Sequence, residues 1–173
     1  ARGMVVHMHV EETQKEIEDC RAAYGRTPMG LLVERLDLDA GFTAVHATHT
    51  APEQLAFFLN TGANVCLCPL TEANLGDGLP SLGRVPLDGL CLGTDSNARI
   101  AMLEEMRWAE YGQRLGREER GVLSDGAGHV ARRLLAAATL GGARALGVRA
   151  GALEAGALAD FVAVDLAAPE LAG

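Results

Sequence analysis

The sequence predicts an α/β fold in which the strands of a parallel sheet alternate with helices. Short apolar runs typical of buried strands alternate along the chain with segments of helical periodicity. Three of the four strands predicted in the first 150 residues end in a side chain that can bind a metal or move a proton, namely His9, His46 and Asp95. No glycine-rich phosphate-binding turn, the mark of a doubly wound sheet, follows a strand. The pattern therefore favours a (β/α)8 barrel, whose strands all end at one mouth, and leaves the doubly wound sheet as the competitor.

The composition limits the classes of partner. The chain has 173 residues, a formal net charge of −8 and 15 basic residues that are scattered along it. This balance argues against a nucleic acid or an anionic membrane as partner, and no apolar run approaches the roughly 18 residues of a membrane helix. The four cysteines form no C-x-x-C pair and no disulfide scaffold, which indicates a reducing, cytoplasmic setting. Cys66 and Cys68 share one strand face, where they either bind a metal or, as is more common, pack as small buried hydrophobes.

The first predicted strand carries histidines on one face. His7 and His9 alternate with the aliphatic Val6, Met8 and Val10. An aliphatic outer face with polar groups inside is typical of a barrel strand covered by helices. An edge strand with its histidines in water is the alternative.

Local signals predict the other elements. Helices are predicted over residues 14–24, from 28 onward, and over 52–59, 102–115 and 130–140. Thr13 and Thr27 are expected to be N-caps, and Thr50 with Glu53 has the spacing of a capping box. Strands are predicted over residues 43–46, 64–69, 89–95 and 161–165, and a polar loop is predicted over 71–78.

The three strand-end side chains suggest a metal centre. Imidazole and carboxylate groups are ligands that a catalytic zinc prefers, and such a site keeps one position open for water. An aspartate beside the metal can take a proton from that water, whose pKa falls to about 7. A second histidine within reach can polarise the group under attack.

These motifs resemble a known enzyme family. His-x-x-Glu over residues 9–12, His46 at the next strand end, and Gly-Thr-Asp-Ser over 93–96 resemble the second half of the amidohydrolase superfamily. The likeness is to the branch that deaminates heterocycles and amidines with one metal. The glycine-containing tail from residue 151 resembles the point at which those chains leave the barrel for a small β-sandwich.

Further stretches are similar to the formimidoylglutamate deiminase family within that superfamily. They cover residues 69–78, 103–115 and 45–49. Glu72 stands where the wider branch has asparagine, and Asn97 stands where a histidine is expected. The resemblance implies hydrolysis of N-formimino-L-glutamate to N-formyl-L-glutamate and ammonia in histidine degradation. A related deaminase acting on a purine, pterin or triazine is the alternative enzyme, and a non-catalytic half-barrel module is the alternative of another class.

The resemblance also implies roles for individual residues. His9 and Asp95 would hold one divalent metal ion, zinc, and Asp95 would also accept a proton. His46 would polarise or activate the substrate, and Glu12 would carry protons to nitrogen. Glu72 would bind the amidinium group of the substrate.

The same resemblance implies a domain organisation. Residues 1–150 would form strands 5 to 8 of a TIM-like (β/α)8 metal-dependent hydrolase barrel, and residues 151–173 would begin a small β-sandwich domain. The family's first-strand His-x-His is not present, so the chain is expected to be an incomplete part of the enzyme and inactive alone. The full-length enzyme is expected to act on a small-molecule substrate. A homodimer is one assembly that the full-length enzyme can form.

Overall fold

Four strands and seven α-helices make up the part of the chain that the computed structural model describes, which is residues 4–82, 89–96 and 99–169. In chain order the elements are β1 (Val6–Val10), α1 (Gln14–Tyr24), α2 (Pro28–Arg35), β2 (Phe42–His46), α3 (Pro52–Asn60), β3 (Asn64–Leu67), α4 (Pro69–Leu75), β4 (Leu90–Leu92), α5 (Met102–Arg117), α6 (Val130–Ala136), a π-helical turn (Ala137–Gly141) and α7 (Gly142–Ala145). The strands form one parallel sheet in the order β1-β2-β3-β4. The predicted α/β fold with a parallel sheet is therefore confirmed.

One face of the sheet carries the hydrophobic core. The strand residues buried in this core are Val10, Phe42, Ala44, Val65, Leu67, Leu90 and Leu92. Met29 of α2, with Leu55 and Phe58 of α3, packs on them, and the rings of Phe42 and Phe58 meet edge to face at 6.1 Å. Burying each large apolar side chain stabilises the fold by about 1.5–3 kcal/mol. Since side chains alternate along a strand, the opposite face remains for polar groups.

Two of the predicted N-caps are confirmed. The Thr13 hydroxyl accepts a hydrogen bond from the Glu16 N–H at 3.3 Å, and the Thr27 hydroxyl accepts one from the Gly30 N–H at 3.1 Å. Each bond satisfies a backbone donor that the first helical turn leaves unpaired. Gly25 ends α1 with a left-handed backbone at φ 68°.

The capping box predicted before α3 is wrong. The N-cap of α3 is Ala51, without a side-chain cap, and Thr50 lies one residue too early to bond the first turn. Pro52 decides the start, because its fixed φ suits the first helical position and its missing N–H needs no partner there. Thr50 is instead buried, at 2% exposure.

The loop predicted over residues 71–78 is largely a helix. β3 ends at Leu67 rather than at residue 69, and α4 begins directly with Pro69 in its first turn. The Glu72 carboxylate accepts the Cys68 N–H at 2.9 Å, and Gly76 ends the helix at φ 76°. A proline at the start and a glycine just past the end are the usual limits of a helix, and they outweigh the polar composition.

The single helix predicted over residues 130–140 is wrong in its second half. The α-helix stops at Ala136, and residues Ala137–Gly141 form a wider π-helical turn before α7. Gly141 lies against the Leu90 carbonyl of β4, so closely that a Cβ atom there would overlap it. The close approach of helix and strand therefore depends on this glycine.

Two further strand predictions differ from the structure, those over residues 89–95 and 161–165. β4 covers only Leu90–Leu92, so Asp95 follows the strand by three residues. The strand predicted over residues 161–165 is not formed, and Val162 and Val164 are 86% and 60% exposed. A strand needs a neighbour for its backbone N–H and C=O groups, and no described residue pairs with this segment.

Candidate metal centre

Two histidines and an aspartate from three strand ends come together on the face opposite the core. His9 lies on β1, His46 is the last residue of β2, and Asp95 follows β4. One ligand atom from each lies within 4.8 Å of the other two. The two imidazole rings stack with centroids 5.3 Å apart, and His46 Nε2 is 3.4 Å from Asp95 Oδ2. The grouping has the spacing of a site that can hold one metal ion.

Left-handed backbone conformations occur at these strand ends. Glu11, His46, Ala47 and Asp95 have φ angles of 53°, 71°, 52° and 47°, values that residues other than glycine rarely adopt. Each costs on the order of 1–3 kcal/mol, and such strain clusters at functional sites. A regular strand would direct His46 to the core face with Ala44, whereas its ring here stacks on His9.

Hydrogen bonds hold this strained backbone in place. The Ala47 N–H donates to the Val10 carbonyl at 3.0 Å, and the His49 N–H donates to the Glu11 carbonyl at 3.1 Å. The end of β2 is thereby tied to the end of β1, which fixes the two imidazoles relative to each other.

Carboxylates surround the imidazole of His46, which is 0% exposed. Its Nδ1 lies 3.3 Å from Glu72 Oε1, and its Nε2 lies 3.5 Å from Glu12 Oε1. Burial alone would lower the pKa of His46, but the bond to Glu72 and the charges of Glu12 and Asp95 outweigh it and raise the pKa above its usual value. A carboxylate on Nδ1 fixes the tautomer and leaves Nε2 directed at the site.

The residues present fit a zinc ion. Among the described residues, the buried Nε2 of His46 has no hydrogen-bond partner, a state that is costly unless another group binds there. Imidazole and carboxylate donors are those that zinc accepts in catalytic sites. His9, Asp95 and the adjacent His46 are the side chains that would surround such an ion.

The sequence matches the amidohydrolase family over residues 1–172. The chain belongs to that family. Its helices, within the part that the structure describes, include none with the length and apolar character needed to cross a bilayer.

Two curated amidohydrolase relatives show how far the likeness extends. The chain is 44% identical over 144 residues to a formimidoylglutamate deiminase of Pseudomonas aeruginosa, which covers 82% of this chain and 32% of that protein. It is 34% identical over 149 residues to a 5-methylthioadenosine/S-adenosylhomocysteine deaminase of Moorella thermoacetica, covering 83% of this chain and 33% of that one. The chain thus spans about a third of the length of the curated relatives it matches.

Solved structures of amidohydrolases also resemble this chain. An amidohydrolase from Brucella melitensis superposes with a TM-score of 0.79 at 39% identity, covering 84% of this chain and 33% of that one. An adenosine deaminase from Xanthomonas campestris with bound zinc superposes at 0.85 with 33% identity, covering 97% and 38%. The amidohydrolase fold of this chain is therefore shared with a zinc-containing deaminase.

The two glutamates predicted for this amidohydrolase site occupy different positions in it. Glu12 is 27% exposed at the open side of His46, where it could reach a bound molecule. Glu72 is buried on α4 and not in the polar loop predicted for residues 71–78. The Oε1 atom of Glu72 contacts His46 and the Cys68 N–H, while its contact with a substrate stays a prediction.

One buried carboxylate near the site has no role predicted from the sequence. Glu11 is 1% exposed, and its Oε1 accepts the Met29 N–H at 2.9 Å in the first turn of α2. This bond attaches the end of β1 to a helix start, where a negative charge is favourable. Its signal in the sequence is an acid that directly follows the histidine strand and precedes Glu12. Asn97, the departure from the family pattern, lies outside the described residues.

Proposed function

We propose that this chain forms part of a hydrolytic deaminase that converts N-formimino-L-glutamate and water into N-formyl-L-glutamate and ammonia. The observation that carries the proposal is the 44% identity to a formimidoylglutamate deiminase over 82% of the chain. The grouping of His9, His46 and Asp95 supports it, because imidazole and carboxylate side chains at this spacing can hold the metal ion that such a hydrolysis uses.

Each side chain of the site has a separate role in the proposed hydrolysis. A zinc ion held by His9 and Asp95 would acidify water and act as a Lewis acid in this site. Asp95 accepts the proton of the water that attacks the formimino carbon. His46, held through Nδ1 by Glu72, polarises the carbon–nitrogen group with its Nε2 side. Glu12 donates a proton to the departing nitrogen, which leaves as ammonia.

We further propose that β1 to β4 are strands 5 to 8 of a (β/α)8 barrel over residues 1–150. Residues 151–173 would then begin a small β-sandwich, in which the segment 161–165 pairs only when its neighbours are present. The parallel sheet and its strand-end site support this arrangement. A cytoplasmic location and a homodimer belong to the same proposal.

A comparison of substrates tests the proposed reaction. The full-length, zinc-loaded protein is assayed for ammonia release from N-formimino-L-glutamate, S-adenosylhomocysteine and 5′-methylthioadenosine. We expect the highest kcat/KM with N-formimino-L-glutamate. Preference for either nucleoside would reject this substrate while keeping the deaminase reaction.

A purine-nucleoside deaminase is the second candidate. It is favoured by the 34% identity to the Moorella thermoacetica enzyme and by the superposition on an adenosine deaminase. Both candidates need the same metal centre, so only the substrate assay separates them.

Metal analysis separates either enzyme from a non-catalytic half-barrel. His9→Asn and Asp95→Asn are expected to remove most of the zinc that copurifies with the full-length protein. His129→Asn is the matched control, since this imidazole is 63% exposed before α6 and takes no part in the site. Zinc retained at the wild-type level in both site variants would contradict the assigned ligands.

A further inference from the structure

The segment that carries Asp95 leaves the sheet before it reaches the candidate metal centre. β4 ends at Leu92, and the Gly93 N–H then donates to the Leu67 carbonyl of β3 at 2.9 Å. Asp95 follows with a left-handed backbone at φ 47°, a conformation that residues other than glycine rarely adopt. Since Asp95 lies beyond this pairing, a contact outside the sheet is needed to maintain its backbone.

Thr71 of α4 provides such a contact. Its hydroxyl donates a hydrogen bond to the Thr94 carbonyl at 3.1 Å, across 23 residues of sequence. The Thr94 carbonyl and the Asp95 nitrogen belong to one planar peptide group. The bond therefore fixes the plane from which the φ rotation of Asp95 begins, and with it the direction of the Asp95 side chain.

Hydrogen bonds also hold the first turn of α4, on which Thr71 lies at 2% exposure. The Cys68 N–H donates to Glu72 Oε1 at 2.9 Å. The Leu70 N–H donates to Glu105 Oε2 of α5, also at 2.9 Å. These carboxylates pair backbone donors that the start of a helix leaves free. Thr71 is therefore attached to a fixed part of the fold.

The same helical turn contacts both sides of the candidate metal centre. Glu72, the residue after Thr71, has its Oε1 3.3 Å from Nδ1 of His46. Asp95 Oδ2 lies 3.4 Å from the other nitrogen of that ring, Nε2. Consecutive residues of α4 thus act on the histidine and on the aspartate, so a shift of this turn would change the distance between them.

A threonine hydroxyl in a helix often does no more than bond a backbone carbonyl one turn earlier. Thr139 is an example, because its hydroxyl donates to the Leu135 carbonyl at 2.8 Å. Thr71 instead bonds a segment distant in sequence, and the next residue of that segment belongs to the candidate site. The bond of Thr71 therefore joins two elements at the metal centre.

We propose that Thr71 is a positioning residue, which holds Asp95 in the geometry that binds the metal ion. The inference rests on the proposed function, because it takes Asp95 as a metal ligand. The hydroxyl acts through the Thr94 carbonyl and is not itself a ligand. Without it Asp95 is less firmly oriented, so the metal ion is bound more weakly.

The zinc affinity of the full-length protein tests this role independently of activity. Competition with a chromophoric chelator gives the zinc dissociation constants of the wild type, Thr71→Val and Thr71→Ser. Valine keeps the branched shape and removes the donor, whereas serine keeps the donor and removes a methyl group. Thr43→Val is the matched control, since Thr43 is also buried and its hydroxyl has no partner among the described residues.

We expect Thr71→Val to bind zinc about 10- to 100-fold more weakly than the wild type. Thr71→Ser and Thr43→Val should bind it like the wild type. The visible d–d bands of the Co²⁺-substituted protein report the ligand geometry, and we expect them to change only in Thr71→Val. Circular dichroism checks that each variant is folded, and Thr71→Ala, with the same expected loss, takes the place of a valine variant that does not fold.

Unchanged zinc affinity and cobalt bands in folded Thr71→Val would overturn the inference. An equal loss of affinity in Thr71→Ser would also overturn it, because packing rather than the hydrogen bond would then be responsible. Asp95→Asn separates this failure from that of the proposed function. Zinc lost by Asp95→Asn but held at full affinity by Thr71→Val overturns the positioning role alone, whereas zinc retained by Asp95→Asn overturns the assigned ligand as well.

Discussion

The side chain on which the candidate site depends most is His46. It is fully buried, its backbone is left-handed at φ 71°, and its Nδ1 faces the carboxylate of Glu72. Strain and burial each disfavour this conformation, so the contacts around the ring must maintain it. Glu72 orients the imidazole through Nδ1 and also stabilises its charged form, to which Glu12 and Asp95 contribute from the Nε2 side.

Replacing Glu72 by glutamine tests this orienting role. The amide of Glu72→Gln keeps an acceptor for the Cys68 N–H but removes the charge opposite Nδ1. We expect kcat for ammonia release to fall by about 10- to 100-fold, with little change in KM. Steady-state kinetics and zinc content of the full-length protein measure the effect.

Glu119→Gln is the control for this substitution, because residue 119 is exposed and lies after α5. It should leave kcat unchanged. A kcat of Glu72→Gln equal to that of the wild type would show that the His46 contact is only structural.

At the scale of elements, the π-helical turn fixes the distance between the last helices and β4. Gly141 contacts the Leu90 carbonyl, whereas its neighbour Gly142 has nothing within 4 Å of the position of a Cβ atom. Both have ordinary helical φ angles, near −60°. The two glycines therefore differ in packing and hardly at all in backbone conformation.

Replacing each glycine by alanine separates the effect of packing against β4 from that of helix propensity. Gly141→Ala should destabilise the fold by about 1–3 kcal/mol, since the methyl group forces the turn away from β4. Gly142→Ala should stabilise it by about 0.5–1 kcal/mol through helix propensity. Urea unfolding of the two variants gives both values, and equal effects would show that the turn is not in close contact.

Glu105 connects α5 to α4, although burying its carboxylate is energetically unfavourable. This α5 residue is 0% exposed, its Oε2 accepts the Leu70 N–H of α4 at 2.9 Å, and its Oε1 has no partner among the described residues. Burial, above all, raises its pKa, and the charge of Glu72 adds to the effect. Its ionised form is therefore less stable in the folded state than in the unfolded chain.

Because the pKa of Glu105 is raised in the folded state, its contribution to the free energy of unfolding decreases as the pH rises. The contribution of Glu105 to stability is fully present below the ordinary glutamate pKa of about 4.3 and is lost as the pH rises through the raised value. Glu105→Gln should therefore gain about 1 kcal/mol relative to wild type at neutral pH and less under acidic conditions. Urea unfolding across this range measures the difference, with Glu119→Gln as control; a gain that is independent of pH would argue against the raised pKa.

At the scale of the whole molecule, β1 is an edge strand of the described sheet. Its outer residues Val6 and Met8 are each 48% exposed, although Val10 at its end is fully buried. His9 is exposed at this edge. The chain also spans about a third of the length of the curated relatives it matches.

These features predict the behaviour of a polypeptide limited to residues 1–173. His9 and Asp95 are the two proposed metal ligands, one fewer than the three protein ligands usual at a catalytic zinc. We expect no ammonia release from N-formimino-L-glutamate above the enzyme-free rate. The full-length Pseudomonas aeruginosa relative serves as the positive control, and turnover by the 173-residue polypeptide at a comparable rate would refute the expectation.

Local signals in the sequence were sufficient for much of the fold. Thr13 and Thr27 marked two helix starts, and the apolar runs gave four parallel strands, because both depend on residues close in sequence. The helix α4 was missed although Pro69 and Gly76 bound it, since its polar interior is also typical of a loop. The segment 161–165 was assigned as a strand because strand propensity cannot show whether a neighbour is present.

The sequence by itself determined the types of side chain at three strand ends and the family to which they belong. Only the tertiary structure decided that His46 leaves its expected face to stack on His9, and that Glu72 is buried behind it. The reason is physical: strand alternation is a local property of the backbone, whereas these contacts depend on left-handed turns and on packing between residues far apart in the chain.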